Sequence, residues 1–307
     1  MDMNMNLDNE EKIVFDIDEI DLKELFSTLW QSKILIFAIT SFFAMSSVIY
    51  ALSLKDVYKS EAILTIGENT NPQFSLGGLS GLASIAGIDV MNAIDKKRLA
   101  IQTIQSRAFL KHLISFEDIL PSIMAASAFN KDSNELIFDP EIYDEEKKVW
   151  IQPSKPGRQY APSYLEAYET YLGQVSILDE GLVTISVEHI SPIFAKEFLD
   201  LIIKETNEIL RSKDLQESTD AIDFLLTEVT NSSLITMKDA INELVQSKLE
   251  TQMMARISSE YVLKVIEPPF VPEKKSGPAR AIICISITLA GGLFAVLLVL
   301  IRHYNFR

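Results

Sequence analysis

Two uncharged stretches of 21 residues, Ile34–Leu54 and Ala281–Ile301, limit what this chain can become more than anything else in it. Each is closed by a cation at both ends, Lys33 and Lys55 for the first, Arg280 and Arg302 for the second. As helices they would be about 31 Å long, the thickness of a bilayer's hydrocarbon core. A soluble fold would have to bury both completely, yet they are the only long apolar runs in the chain. The sequence therefore predicts transmembrane helices at 34–54 and 281–301, with residues 55–280 pinned to one membrane face by both ends.

Charge removes a class of function. The formal charge is −15: residues 1–33 hold nine acids and three bases, and residues 55–280 hold 34 acids and 23 bases. Nucleic-acid binding needs a basic face that releases counterions, and a net-acidic domain offers none. The single cysteine, Cys284, lies inside the second apolar run, so no intramolecular disulfide forms, and residues 55–280 are numerous enough to build a core without one. Residues 1–33 are too long and too acidic for a signal-peptide leader, which makes the first run an uncleaved anchor. Two spans place both termini on one side. Lys23, Lys33, Arg302 and Arg307 agree with a cytoplasmic placement of those termini.

Along the chain, residues 1–17 read as polar and disordered. Leu22, Leu25, Phe26, Leu29 and Trp30 share one face of an interfacial helix over 20–31, within a cytoplasmic segment 1–33. Residues 57–66 alternate as a strand with Tyr58, Ala62, Leu64 and Ile66 on one side. The apolar stretch 74–88 carries Gly77, Gly78, Gly81 and Gly87. It lacks the Gly-Lys-Ser/Thr ending of a phosphate loop and reads as a mobile apolar loop suited to lipid, another subunit or a polymer. One or two helices follow over 94–114. Residues 116–162, with five prolines, read as irregular and turn-rich, and a helix follows over 163–172. Strands at 174–178 and 182–188 flank the turn Asp179-Glu180-Gly181.

Ser191-Pro192 then opens a helix, with serine as N-cap and proline in the first turn. No glycine or proline recurs until Pro268. A single straight helix over 192–255 would be about 96 Å long, but residues 258–280 can span only about 76–83 Å even when fully extended. The chain must therefore double back, and Thr230-Asn231-Ser232-Ser233 favours a turn. The expected fold is α+β: two transmembrane helices flank a domain with a membrane-proximal mixed α/β base, strands near 57–66, 174–178, 182–188 and 261–267, and a long extended helical hairpin of helices 192–229 and 234–256.

Catalytic chemistry is hard to find. His112, His189 and His303 are scattered, and His189 reads as a surface or strand-end residue. No cysteine–histidine cluster has metal spacing, no serine sits in a nucleophile elbow, and the acids of 141–148 read as solvated surface. The reading is a non-enzyme without cofactor or metal. Two other patterns carry more. Pro268, Pro269, Pro272 and Pro278 form a stiff strut before the second span. Within that span Thr288, Gly291, Gly292 and Ala295 are small residues spaced for close helix packing and coupling, with Ser47 and Ala51 a weaker counterpart in the first.

These same segments carry a resemblance. The first span followed by VYKSEAILTI, then GLASIAGI, SPIFAKEFLDLIIKETNEIL, and YVLKVIEPPFVPEKKSGPARA running into the last span, resembles the Wzz chain-length determinants, polysaccharide co-polymerases of bacterial surface-glycan synthesis. The likeness runs from about Asp21 to Arg302, and its Pro/Gly motif maps onto Pro268, Pro269, Pro272, Pro278, Gly291 and Gly292. It implies an inner-membrane protein with cytoplasmic termini and a periplasmic domain. Membership further implies ring-shaped homo-oligomers of about eight subunits that set the length of a lipid-linked glycan made by a Wzy-type polymerase, without catalytic residues. The insert 116–162 matches nothing in the family pattern. The six residues after the second span leave no room for the tyrosine-kinase domain of some relatives.

Two other readings compete. One is an adaptor subunit of a capsule or exopolysaccharide machine working with a separate tyrosine kinase. The other is a two-span periplasmic sensory receptor, for which neither the 33-residue head nor the six-residue tail provides an output module.

Overall fold

The computed structural model describes residues 29–67, 93–151, 162–231 and 235–305. In chain order the elements are α1 (Lys33–Ser53), β1 (Tyr58–Ile66), α2 (Ala93–Ile104), α3 (Arg107–Leu113), α4 (Ile119–Met124), β2 (Ala126–Asn130), β3 (Glu135–Phe138), β4 (Tyr143–Asp144) and β5 (Val149–Trp150). They continue as α5 (Tyr164–Gln174), β6 (Val175–Glu180), β7 (Leu182–His189), α6 (Pro192–Asn231), α7 (Ile235–Ile257), β8 (Leu263–Glu267) and α8 (Arg280–Asn305). The class is α+β. Contacts divide the chain into two units, residues 1–54 with 279–307, and residues 55–278.

The first unit contains α1 and α8. Both are long and apolar enough to cross a membrane, with mean hydropathies of 2.1 and 2.7 over their best windows. Their large side chains, among them Ile34, Phe37, Met45, Ile282 and Leu293, are exposed. In water that surface would be costly, whereas hydrocarbon is its natural solvent.

The second unit is built on a four-stranded antiparallel sheet in the order β6-β7-β1-β8. Alternation decides which side of β1 is covered: Tyr58, Ser60, Ala62 and Leu64 are buried, while Ile66 is only half-buried. Gly181, at φ +93° between β6 and β7, occupies a backbone conformation that L-residues resist, which allows the tight turn there. Against the covered face lies the first half of α6, whose Ala195, Phe198, Leu199, Ile202, Ile203 and Leu210 follow helical spacing into one core with Val183, Ile185 and Val187. Helix α6 has 40 residues, about 60 Å. Its second half packs against α7, and Leu225, Ala240 and Ile241 are buried.

Helix α5 begins with a full capping box, Ser163 with Glu166. From it Tyr164, Tyr168 and Tyr171 donate to the carbonyls of Arg107, Gln105 and Ile104, pinning the turn between α2 and α3.

The sequence reading needs correction between 116 and 151. The segment is not irregular: it holds α4 and two hairpins, β2–β3 and β4–β5. Its strands are too short for alternation to register, and its turns rest on side chains. The Asn130 carboxamide oxygen accepts from the backbone N–H groups of Asp132 and Ser133 at 2.9 and 3.4 Å, and Asn134 takes φ +59°. Phe138, Tyr143 and Trp150 form a small aromatic core of their own, with ring centroids 5.5 and 5.0 Å apart.

Candidate functional site

The sequence singled out three groups of residues, and two of them fall within the described residues. In the first unit, α8 packs on α1 through its small residues. A Cβ added to Gly291 would lie 2.5 Å from both Cβ and Cγ of Phe43, so only glycine fits under that ring. Gly292 faces Thr40 with ordinary room, 3.7 Å to its hydroxyl. Ala295 is fully buried, as are Ser47 and Ala51 on α1, where the Ser47 carbonyl meets the Cys284 thiol. Thr288 and Gly292 line an open groove of 600 Å³ with Thr40, Ala44, Ser47 and Cys284. The groove is apolar despite its hydroxyls, because Thr40 and Ser47 donate to the carbonyls of Ile36 and Ala44 at 2.8 and 2.7 Å.

The proline segment belongs to the second unit, and it does not run free. The β1–β8 ladder ends at the pair Ile63–Glu267, where Pro268 and Pro269 remove two donors in succession. Beyond that point β1 holds the segment by other means. The Ser60 hydroxyl donates to the Phe270 carbonyl at 2.7 Å. Val57 N–H donates to the Gly277 carbonyl at 3.0 Å, and Ser276 N–H returns a bond to the Val57 carbonyl at 2.8 Å. Lys275 pairs with Asp56 at 3.0 Å. Pro269 and Pro272 are buried, Pro278 half-buried and Pro268 exposed. The third group, Gly77, Gly78, Gly81 and Gly87, lies outside the described residues, as does the interfacial helix 20–31 except for Leu29 to Gln31.

Sequence reasoning missed several residues that the fold depends on. Asn207, only 6% exposed on α6, accepts from the N–H groups of Val262 and Leu263 at 2.9 and 2.8 Å and donates to the Leu263 carbonyl at 2.9 Å. One carboxamide thus holds the start of β8 as a neighbouring strand would. Asp214 accepts from the Tyr261 hydroxyl at 2.6 Å and pairs with buried Lys96 at 3.4 Å, and Lys96 in turn lies over the Tyr261 ring. Burial, followed by the Asp214 carboxylate, pushes the Tyr261 phenol well above its usual range. His189 closes β7 but is buried, not superficial. These contacts join positions 47 to 118 residues apart, so no local pattern announces them. Among the described residues no group of three histidine, cysteine or carboxylate side chains could hold a metal ion.

The arrangement is one of packing and bracing: a helix pair keyed by Gly291, and a strut fastened to the strand that follows the first span. The comparison with protein families bears on that first strand and span. Residues 18–116 match the Wzz family model, chain length determinant protein. The match covers α1, β1, α2 and α3, and it ends where the insert begins. No curated protein matches the chain. Among solved structures, a full-length bacterial polysaccharide co-polymerase is similar over 93% of this chain and 98% of its own, with 14% identity and a TM-score of 0.38.

Proposed function

We propose that this chain is a non-enzymatic regulator of polysaccharide chain length. In this reading it sits in a bacterial inner membrane with both termini cytoplasmic and residues 55–280 periplasmic. It assembles with copies of itself and sets the length of a lipid-linked glycan, O-antigen or a related surface polymer, extended by a Wzy-type polymerase. The observation that carries the reading is the Wzz match over residues 18–116, in a chain whose two apolar helices bracket a single α+β unit.

Two features support its parts. Leu249, Met253 and Ile257 lie along one exposed face of α7, an apolar stripe suited to burial against a second copy. The Gly291 contact and the strut, Pro268, Pro269, Pro272 and Pro278, give assembly of the second unit a route to a polymerase beside the spans.

Deleting the gene tests the reading. A modal ladder of glycan lengths should become an unregulated one, and the intact gene supplied in trans should restore it. An unchanged ladder would reject length control. In the restored strain, Gly291→Leu should disturb modality at normal protein level, and normal modality would reject the span pair as the coupling element.

A further inference from the structure

The cations that flank the α1–α8 pair are used differently at its two ends. Where the chain leaves α1 and where it enters α8, protein oxygen answers each one. Arg280 donates to the Leu54 carbonyl at 2.8 Å, Lys55 reaches the Ala126 carbonyl at 3.5 Å, and Lys275 pairs with Asp56. The opposite end carries Lys33 on α1 and Arg302 on α8. The helices run antiparallel, since Leu54 meets Arg280, Ser47 meets Cys284 and Thr40 faces Gly292. Lys33 lies seven residues before Thr40 and Arg302 ten beyond Gly292, so the two cations stand within about one helical turn of the same level. Both are exposed, and among the described residues neither pairs with a carboxylate. The chain holds no acid between Glu24 and Asp56, and none after Glu273.

From Lys33 toward the middle of the pair runs an apolar groove. Leu29, Trp30, Lys33, Ile36, Phe37 and Thr40 line a first stretch of 340 Å³, and Thr40 continues it into the 600 Å³ groove beside Ala44 and Ser47. At its mouth the Lys33 ammonium lies 5.0 Å over the exposed Trp30 ring. Tryptophan and lysine are side chains of the bilayer's headgroup layer, and the groove below them is hydrocarbon in character. An acyl chain as deep as one leaflet, about 15 Å, laid along α1 from Lys33 would reach Ala44.

We propose that this groove seats one phospholipid of net negative charge, with its phosphate on Lys33 and Arg302 beside Trp30 and an acyl chain lying over Thr40 to Ala44. A zwitterionic lipid brings a cation of its own to face Lys33 and Arg302, so charge selects which lipid stays. The site requires only that α1 and α8 lie in a bilayer, and it can stand even if control of glycan length fails.

Bromine on an acyl chain quenches a neighbouring indole, and the full-length Trp150→Phe protein keeps Trp30 as its one tryptophan. In phosphatidylcholine nanodiscs, a small fraction of dibrominated phosphatidylglycerol should quench Trp30 as though enriched roughly fivefold or more over dibrominated phosphatidylcholine at the same fraction. Adding Lys33→Gln with Arg302→Gln should abolish that preference, whereas Lys33→Arg with Arg302→Lys should keep it. Thr40→Leu, which fills the join between the two stretches of groove, should reduce it at unchanged far-ultraviolet dichroism. Equal quenching by the two lipids, as expected if another helix covers the groove, would overturn the proposal. So would a preference that survives the glutamine pair or ignores Thr40→Leu. Should the glutamine pair fail to fold, salt decides the matter in the parent protein. At about 1 M, where the Debye length is about 3 Å, the preference should fall by half or more, and an unchanged preference would overturn the site.

Discussion

Asn207 shows how much one side chain can carry in this fold. It satisfies two donors and one acceptor at the start of β8, all buried, and a shorter side chain would leave each of them unpaired. Asn207→Ala should therefore destabilise the second unit by about 2–4 kcal/mol, read as a lower urea midpoint at unchanged slope. Gly291 and Gly292 are adjacent but unequal. Alanine at 291 must displace the Phe43 ring, while at 292 it meets only ordinary contact. Gly291→Ala should loosen the α1–α8 pair and Gly292→Ala should not, as measured by cysteine cross-linking between the two helices. His189 gives stability a sign with pH. Its imidazole is depressed to about 4 in the fold, against an ordinary 6.5 when unfolded. Between these values the unfolded chain binds the extra proton, so the contribution is whole above about pH 6.5 and drains away as pH falls toward 4. The loss totals about 3 kcal/mol. Urea midpoints that ignore pH across this window would contradict it.

Elements, in contrast, differ in how well their neighbours hold them. Helix α6 is one continuous helix in two environments. Residues 195–210 are sandwiched in the core and Asp214 and Leu215 still reach it, whereas farther along α6 runs beside α7, with the Thr219 hydroxyl accepting from Gln252. Amide hydrogen exchange should follow that division, with slow exchange over 195–210 and much faster exchange in the far half and in α7. Uniform protection along α6 would mean that something else covers the far half. The strut allows a similar ranking. Ser60 is buried where it bonds the Phe270 carbonyl, and Ser60→Ala should cost about 1 kcal/mol. The Lys275–Asp56 pair is open to solvent, and Lys275→Ala should change stability by less than about 0.5 kcal/mol. Reversal of that order would mean that the strut is held by charge.

At the scale of the molecule, the main hydrophobic cluster among the described residues runs from Ala62 to Leu263, inside the second unit. A fragment of residues 55–278 should consequently fold and stay soluble without either apolar helix, which circular dichroism and gel filtration would check. Much of this plan was legible in the chain. The α+β class, the two apolar helices and the long helix opened by Ser191-Pro192 follow from period, length and capping chemistry, all of which act within a few residues. The short hairpins of 126–150 escaped because strands of two to five residues leave no period to read, although Asn130 and Asn134 did mark a turn. Asn207, Asp214 and His189 escaped for another reason. Each looks ordinary in its own segment, and its work is done against residues more than forty positions away.

The bonds between Asp56–Val57 and Lys275–Gly277 have a mechanical side. They join the chain where it enters the second unit to the chain where it leaves, and the two strands run antiparallel with both free ends on the same side. Tension that separates those ends therefore peels the rungs one after another instead of shearing them together. Peeling is the weak direction for hydrogen-bonded strands, so the bonds at Val57 should yield before the β1–β7 ladder feels the load. Where its chain enters and leaves, the second unit should therefore behave as a fuse, yielding under pull before the fold behind it does.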